Sequence, residues 1–119
     1  VNKSFIEFVE KNSLYYFNEK ENAFWIVTDI IHDAHDPMSG TSVQVATFLD
    51  LEGYYRQWAE DQGYIIEATL YRSWGEYHGI YKTVKDDSCF TTVIKCKSYE
   101  KAFMAALNKV MKLVEKQSE

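Results

Sequence analysis

His32-Asp33-Ala34-His35-Asp36 is the densest group of metal-ligating side chains in the sequence. On a helix, His32 would stand three residues from His35 and four from Asp36, so His32, His35 and Asp36 would share a face. Imidazole nitrogen with carboxylate oxygen suits Zn, Mn or Fe. A metal held there would serve a metal-dependent hydrolase. These three residues make only part of a coordination shell. Asp29, Glu67 or His78 would have to complete it, and no spacing ties them to the cluster. The plainer reading is a polar loop ahead of Pro37.

The remaining reactive side chains are isolated. His78 lies beside Glu76 and Tyr77. Packed against a carboxylate it could act as a general base; in an exposed turn it is a solvated histidine. Cys89 and Cys96 are too few for a disulfide framework and read as strand residues, seven apart on opposite faces. Nothing beside them marks a lowered thiol pKa. There is no Gly-rich phosphate loop, nucleophile elbow or zinc-ribbon spacing. The sequence therefore points to no cofactor and away from an enzyme.

Tyr71, Trp74, Tyr77 and Tyr81 crowd one short stretch. Aromatic anchors among small and charged neighbours are typical of interface hot spots. These four are the expected binding residues. The alternative is that they pack their own hairpin.

The elements that position these groups follow from periodicity and punctuation. Ser4 with Glu7 fits a capping box, and Phe5, Phe8 and Val9 follow at helical spacing, giving a short helix over 4–12. Leu14–Phe17 and Ala23–Thr28 read as a hairpin from their aromatic and β-branched content, although Phe24, Val27, Ile31 and Ala34 also fit a helical stripe. Residues 36–42, with the single Pro, form a loop. A helix follows over about 44–62, with Phe48, Leu51, Tyr55, Trp58 and Ala59 as its apolar stripe. Gly63 ends it in the left-handed conformation.

Strand 64–72 puts Tyr64, Ile66, Ala68 and Leu70 on its core face. Ser73–Gly79 turns, 80–84 returns, 86–88 turns again and 89–96 makes a third strand. Ser98 caps the last helix, 98–116, whose stripe runs from Tyr99 through Ala102, Phe103, Ala106, Leu107, Val110 and Leu113 to Val114. The fold class is α+β in a single domain, 1–119. A small antiparallel sheet (meander 64–96, extended by the hairpin 14–28) is packed by helices 44–62 and 98–116, with a short helix 4–12.

Charge narrows the partners. The net charge is −5, which disfavours nucleic acid, since phosphate contacts need a basic surface. Residues 1–62 hold four Lys/Arg against eleven Asp/Glu, and residues 63–119 hold nine against seven. The acidic front half suits a basic protein partner or is simply a solvated face. No apolar run reaches membrane-spanning length, and no secretory signal opens the chain, so cytoplasm is the expected compartment. Exposed edges in so small a sheet point to a homo-oligomer.

Ser98-Tyr99-Glu100-Lys101-Ala102-Phe103-Met104-Ala105-Ala106-Leu107, closing with Val110-Met111-Lys112-Leu113-Val114, resembles the ending of small uncharacterised α+β proteins of phages and mobile elements, especially of gut Bacteroidales. Trp58, Gly63 and strand 64–72 match their layout of an amphipathic helix, a meander and a Tyr-x-x-Ala-rich helix. The resemblance covers about residues 48–116 and implies a mobile-element origin, with no catalytic residue to carry over. Ala23-Phe24-Trp25-Ile26-Val27-Thr28-Asp29-Ile30 is similar, more faintly, to phage antirepressor N-terminal domains. The acidic front half departs from a DNA-binding version of these.

Three functions fit these residues. The first is a non-enzymatic interaction protein, an inhibitor or adaptor that binds a host protein through the aromatic hairpin and an acidic face. The second is a small-ligand-binding or sequestering protein with an aromatic-lined pocket. The third is a metal-dependent hydrolase using His32, His35 and Asp36.

Overall fold

A computed structural model describes residues 2–30, 41–85 and 89–117. Among these residues the fold is α+β, with three helices and two three-stranded antiparallel sheets. The chain divides into two compact units, Val1–Glu52 and Gly53–Glu119.

The first unit opens with α1, Lys3–Asn12. Its cap is Asn2, whose Oδ1 accepts the Phe5 N–H at 3.1 Å, so the helix starts before the expected Ser4 box. Ser13 closes it, donating its hydroxyl to the Val9 carbonyl at 2.6 Å. Strand β1, Tyr16–Asn18, pairs with β2, Ala23–Ile30, across a turn in which Asn22 takes φ 52°. Asn tolerates that left-handed position better than most residues. Strand content therefore prevails over the helical stripe for residues 23–30. Phe24 is buried, with the Phe5 ring edge-on at 5.7 Å and Phe17 at 5.2 Å, which places α1 on this face of the sheet.

Strand β3, Thr41–Val45, pairs with β2. This corrects the expected helix start at 44 and the expected sheet. The hairpin does not lengthen the meander but forms its own sheet, in the order β1-β2-β3. Thr-Ser-Val-Gln-Val alternates with period two, and its β-branched side chains favour the pleated conformation. Helix α2, Phe48–Asp61, begins only after Thr47. The Thr47 and Asp50 side chains satisfy each other's backbone N–H groups at 3.3 and 2.8 Å, a capping box built with Asp.

The second unit holds the rest of α2, then β4 (Tyr64–Tyr71), β5 (Glu76–Thr83), β6 (Thr91–Cys96) and α3 (Tyr99–Gln117). Gly63 ends α2 at φ 93°, as its position requires. The meander runs β4-β5-β6. Tyr64, Ile66 and Ala68 are buried as expected, but Leu70 is exposed. Ser98 caps α3 by accepting the Lys101 N–H at 3.2 Å. Ala102, Phe103, Ala106, Leu107 and Val110 are fully buried.

Strand β5 starts at Glu76, four residues before the expected Ile80. Gly79 reads as a turn residue but lies mid-strand, opposite Ala68 on one side and Ile94 on the other. It is there because α3 crosses directly over it. A Cβ at this position would overlap the Ala102 carbonyl oxygen.

Candidate functional site

The β4–β5 hairpin turns through four residues, Arg72–Gly75. The Trp74 and Gly75 N–H groups donate to the Tyr71 and Arg72 carbonyls at 3.1 and 3.3 Å. Gly75 supplies the left-handed residue, φ 62°, that this loop needs before the return strand. Tyr71 therefore pairs with Glu76, and Thr69 with His78. With side chains alternating between faces, this register decides where each aromatic residue goes.

Tyr71, Glu76 and His78 share one face of the sheet. Trp74 folds back from the turn onto it. The Tyr71 and His78 rings stack at 4.0 Å, and Trp74 lies nearly parallel to both, at 5.8 and 6.0 Å. Tyr77 and Tyr81 fall on the other face. Tyr77 meets Tyr99 of α3 edge-on at 5.8 Å, and Tyr81 packs on Tyr64 at 6.3 Å. The four expected binding residues thus divide into two pairs on opposite faces of the sheet, Tyr71 with Trp74 and Tyr77 with Tyr81.

His78 is the residue that sequence reasoning misplaced. It is 5% exposed, roofed by rings instead of standing in a solvated turn. Among the described residues its Nε2 has no hydrogen-bond partner, and it lies 4.0 Å from Glu76 Oε2. Trp74, by contrast, is 63% exposed. The arrangement is a solvent-facing aromatic platform resting on a buried imidazole. Recognising the turn at Arg72–Gly75 would have revealed it, because Glu76 then starts the strand and His78 follows two residues on.

Arg56 was also not singled out from sequence. Its Nη1 donates to Glu67 Oε1 at 2.8 Å and to the Ile66 carbonyl at 3.1 Å. Its Nη2 donates to the Tyr99 hydroxyl at 2.9 Å, and the guanidinium lies 4.9 Å from the Phe103 ring centre. One side chain thereby ties α2, β4 and α3 together, which is a structural role.

Close by, Tyr55 packs on Phe103 at 6.3 Å. Burial pushes its phenol above the ordinary value, and the Glu100 carboxylate pushes in the same direction. The unfolded chain then loses this proton first. The associated stability is fully present below about pH 10 and falls as pH rises toward the higher folded value. Tyr55→Phe should make the alkaline loss of stability shallower. Urea unfolding between about pH 9 and about pH 11 checks this; equal slopes for both proteins would refute it.

His32, His35 and Asp36 lie outside the described residues. Among the described residues no three His, Cys, Asp or Glu side chains come together as a metal site. Cys89 and Cys96 are both free thiols, and Cys96 Sγ donates to the Ser98 carbonyl at 3.3 Å. At the far end of the second sheet, Glu60, Asp61, Gly63, Tyr64, Val84 and Gln117 line an open groove of about 410 Å³, where Gln117 Nε2 donates to the Tyr64 hydroxyl at 2.9 Å. No described helix is long and apolar enough to cross a membrane.

Compared with known protein families, curated proteins and solved structures, the chain matches none of them.

Proposed function

We propose that this chain is a non-enzymatic interaction protein that docks a partner protein on the Tyr71–Trp74 platform. The observation that carries this reading is the exposure of Trp74 over a buried, ring-stacked His78. A large aromatic side chain left in water beside a rigid ring stack is already ordered for binding, so docking costs it little entropy. The acidic front half favours a basic partner. The resemblance of residues 48–116 to mobile-element proteins supports a host protein as that partner, with this chain its inhibitor or adaptor in the cytoplasm.

Trp74→Ala should abolish capture of the partner while lowering stability by about 1 kcal/mol at most, because the side chain is mostly exposed. The experiment is a pull-down from nuclease-treated bacterial lysate with wild type and variant in parallel, plus melting curves of both. A single near-stoichiometric protein that disappears with Trp74→Ala supports the proposal. Undiminished capture by the variant, or no capture by either, counts against it. A large drop in melting temperature would move Trp74 to a core role.

A second reading, a small-ligand binder, has the groove beside Tyr64 and Gln117 in its favour. A small molecule that raises the melting temperature of wild type and Trp74→Ala alike would support it. The metal-dependent hydrolase reading rests on His32, His35 and Asp36 alone. Metal analysis of the purified protein, with His32→Ala as control, tests that reading directly.

A further inference from the structure

The first sheet has two unlike faces. Its register is Tyr16 to Trp25 to Val45 across all three strands, with Val27 opposite Val43. Alternation therefore sets Tyr16, Trp25, Val27, Val43 and Val45 on one face. Phe17 and Phe24 take the other, where α1 packs through Phe5. On the α1 side Phe24 is buried, Phe17 and Ile26 are partly covered, and Gln44 at the β3 edge is exposed. On the far side Tyr16, Val27, Val43 and Val45 are 38, 45, 41 and 47% exposed.

We infer that this Tyr16/Trp25/Val27/Val43/Val45 face docks against the same face of a second copy of the chain. Three features point to a copy as the occupant. None of the five side chains is charged, so a two-fold axis through the face brings no like charges into contact. The same lack of Lys and Arg leaves an anionic membrane or a nucleic acid without an anchor. Flat sheet faces of β-branched and aromatic residues stack on one another at about 10 Å, as in a β-sandwich.

Area sets the strength of the association. Four half-exposed side chains around the more deeply covered Trp25 present on the order of a few hundred Å², less than the roughly 800 Å² per partner of a standard stable interface. The dimer is therefore reversible and concentration-dependent. The −5 charge of each copy opposes it at long range, so added salt strengthens it by screening. The other exposed strand, β6, is a poorer candidate. Val93 is the extra residue of a bulge there and Lys95 stands two residues beyond it, both of which deter strand pairing.

The test is sedimentation velocity from micromolar to near-millimolar protein, at low and physiological salt. Wild type should pass from monomer to dimer as concentration rises, at lower concentration in the higher salt. Val43→Lys should remain monomeric throughout. Gln44→Lys, one residue along on the opposite side of the sheet, should dimerise as wild type does. Circular dichroism of both variants establishes that they fold. A wild type that stays monomeric at every concentration overturns the inference, as does a dimer that survives Val43→Lys or is lost in Gln44→Lys. A monomer that floats with phosphatidylcholine vesicles, and stops floating on Val43→Lys, would give the face to lipid and overturn it also.

Discussion

Phe103→Ala should cost about 4 kcal/mol of stability, near the middle of the range for removing a fully buried aromatic ring. Phe103 has no exposed surface. Its ring is stacked on Tyr99 and tilted against Tyr55, each at 6.3 Å, and lies under the Arg56 guanidinium. Each ring pair adds about 0.5–1.5 kcal/mol beyond burial, and the cation–π contact adds about 0.5–2 kcal/mol. Truncation leaves a cavity where α2, α3 and β4 meet. It also loosens Arg56, whose other bonds reach Ile66, Glu67 and Tyr99. Domains of this size are stable by only about 5–15 kcal/mol, so the loss should show as a large fall in the urea midpoint. Phe103→Leu, which refills most of the volume, should recover more than half of it. A cost under about 1 kcal/mol for the alanine variant would mean that this ring is not central to the core.

What the sequence discloses here depends on the range of the interaction. The α3 stripe, the Ser98 cap and the left-handed Gly63 are set by neighbours within a turn or two, and each is found where its residue type puts it. Thr41–Val45 was harder to place. Its alternation is as clear as that of β4, but Phe48 and Leu51 lie just beyond, and a helical stripe can be extended backward over it. Pairing with β2, a non-local interaction, decides the matter. The aromatic cluster shows the same division. Residue types alone mark Tyr71, Trp74, Tyr77 and Tyr81 together as candidate anchors, with packing of their own hairpin as the alternative. Separating Tyr71 and Trp74 from Tyr77 and Tyr81 requires the hairpin register, and the register depends on a turn whose left-handed residue is Gly75 and not Gly79. The buried His78 follows from that register too, because nothing in its immediate sequence distinguishes a roofed histidine from a solvated one.

Gly79→Ala is expected to reverse the usual sign of such a substitution. Replacing a strand glycine ordinarily stabilises a protein by about 0.5–1 kcal/mol, because alanine narrows the unfolded ensemble. The added methyl at Gly79 would instead overlap the Ala102 carbonyl oxygen and stand 2.9 Å from its carbon, with Ile94 Cγ2 at 3.2 Å. Two of these three atoms are backbone and cannot move by changing rotamer. They belong to the first turn of a helix fixed by Ser98, whose carbonyl accepts the Ala102 N–H at 3.0 Å and whose hydroxyl accepts the Lys101 N–H. The helix must therefore lift from the sheet, at a cost of about 3 kcal/mol, the upper end for overpacking. Gly53→Ala is the matched comparison. Gly53 lies inside α2 with no atom of another described element within 4 Å of its would-be Cβ, so alanine there should gain about 1 kcal/mol from helix propensity. Urea unfolding of the two variants should move the midpoint in opposite directions. Gain at both positions would mean that α3 does not press on Gly79, and the small-residue contact of Ala68, Gly79 and Ala102 would not be what holds the helix close to the meander.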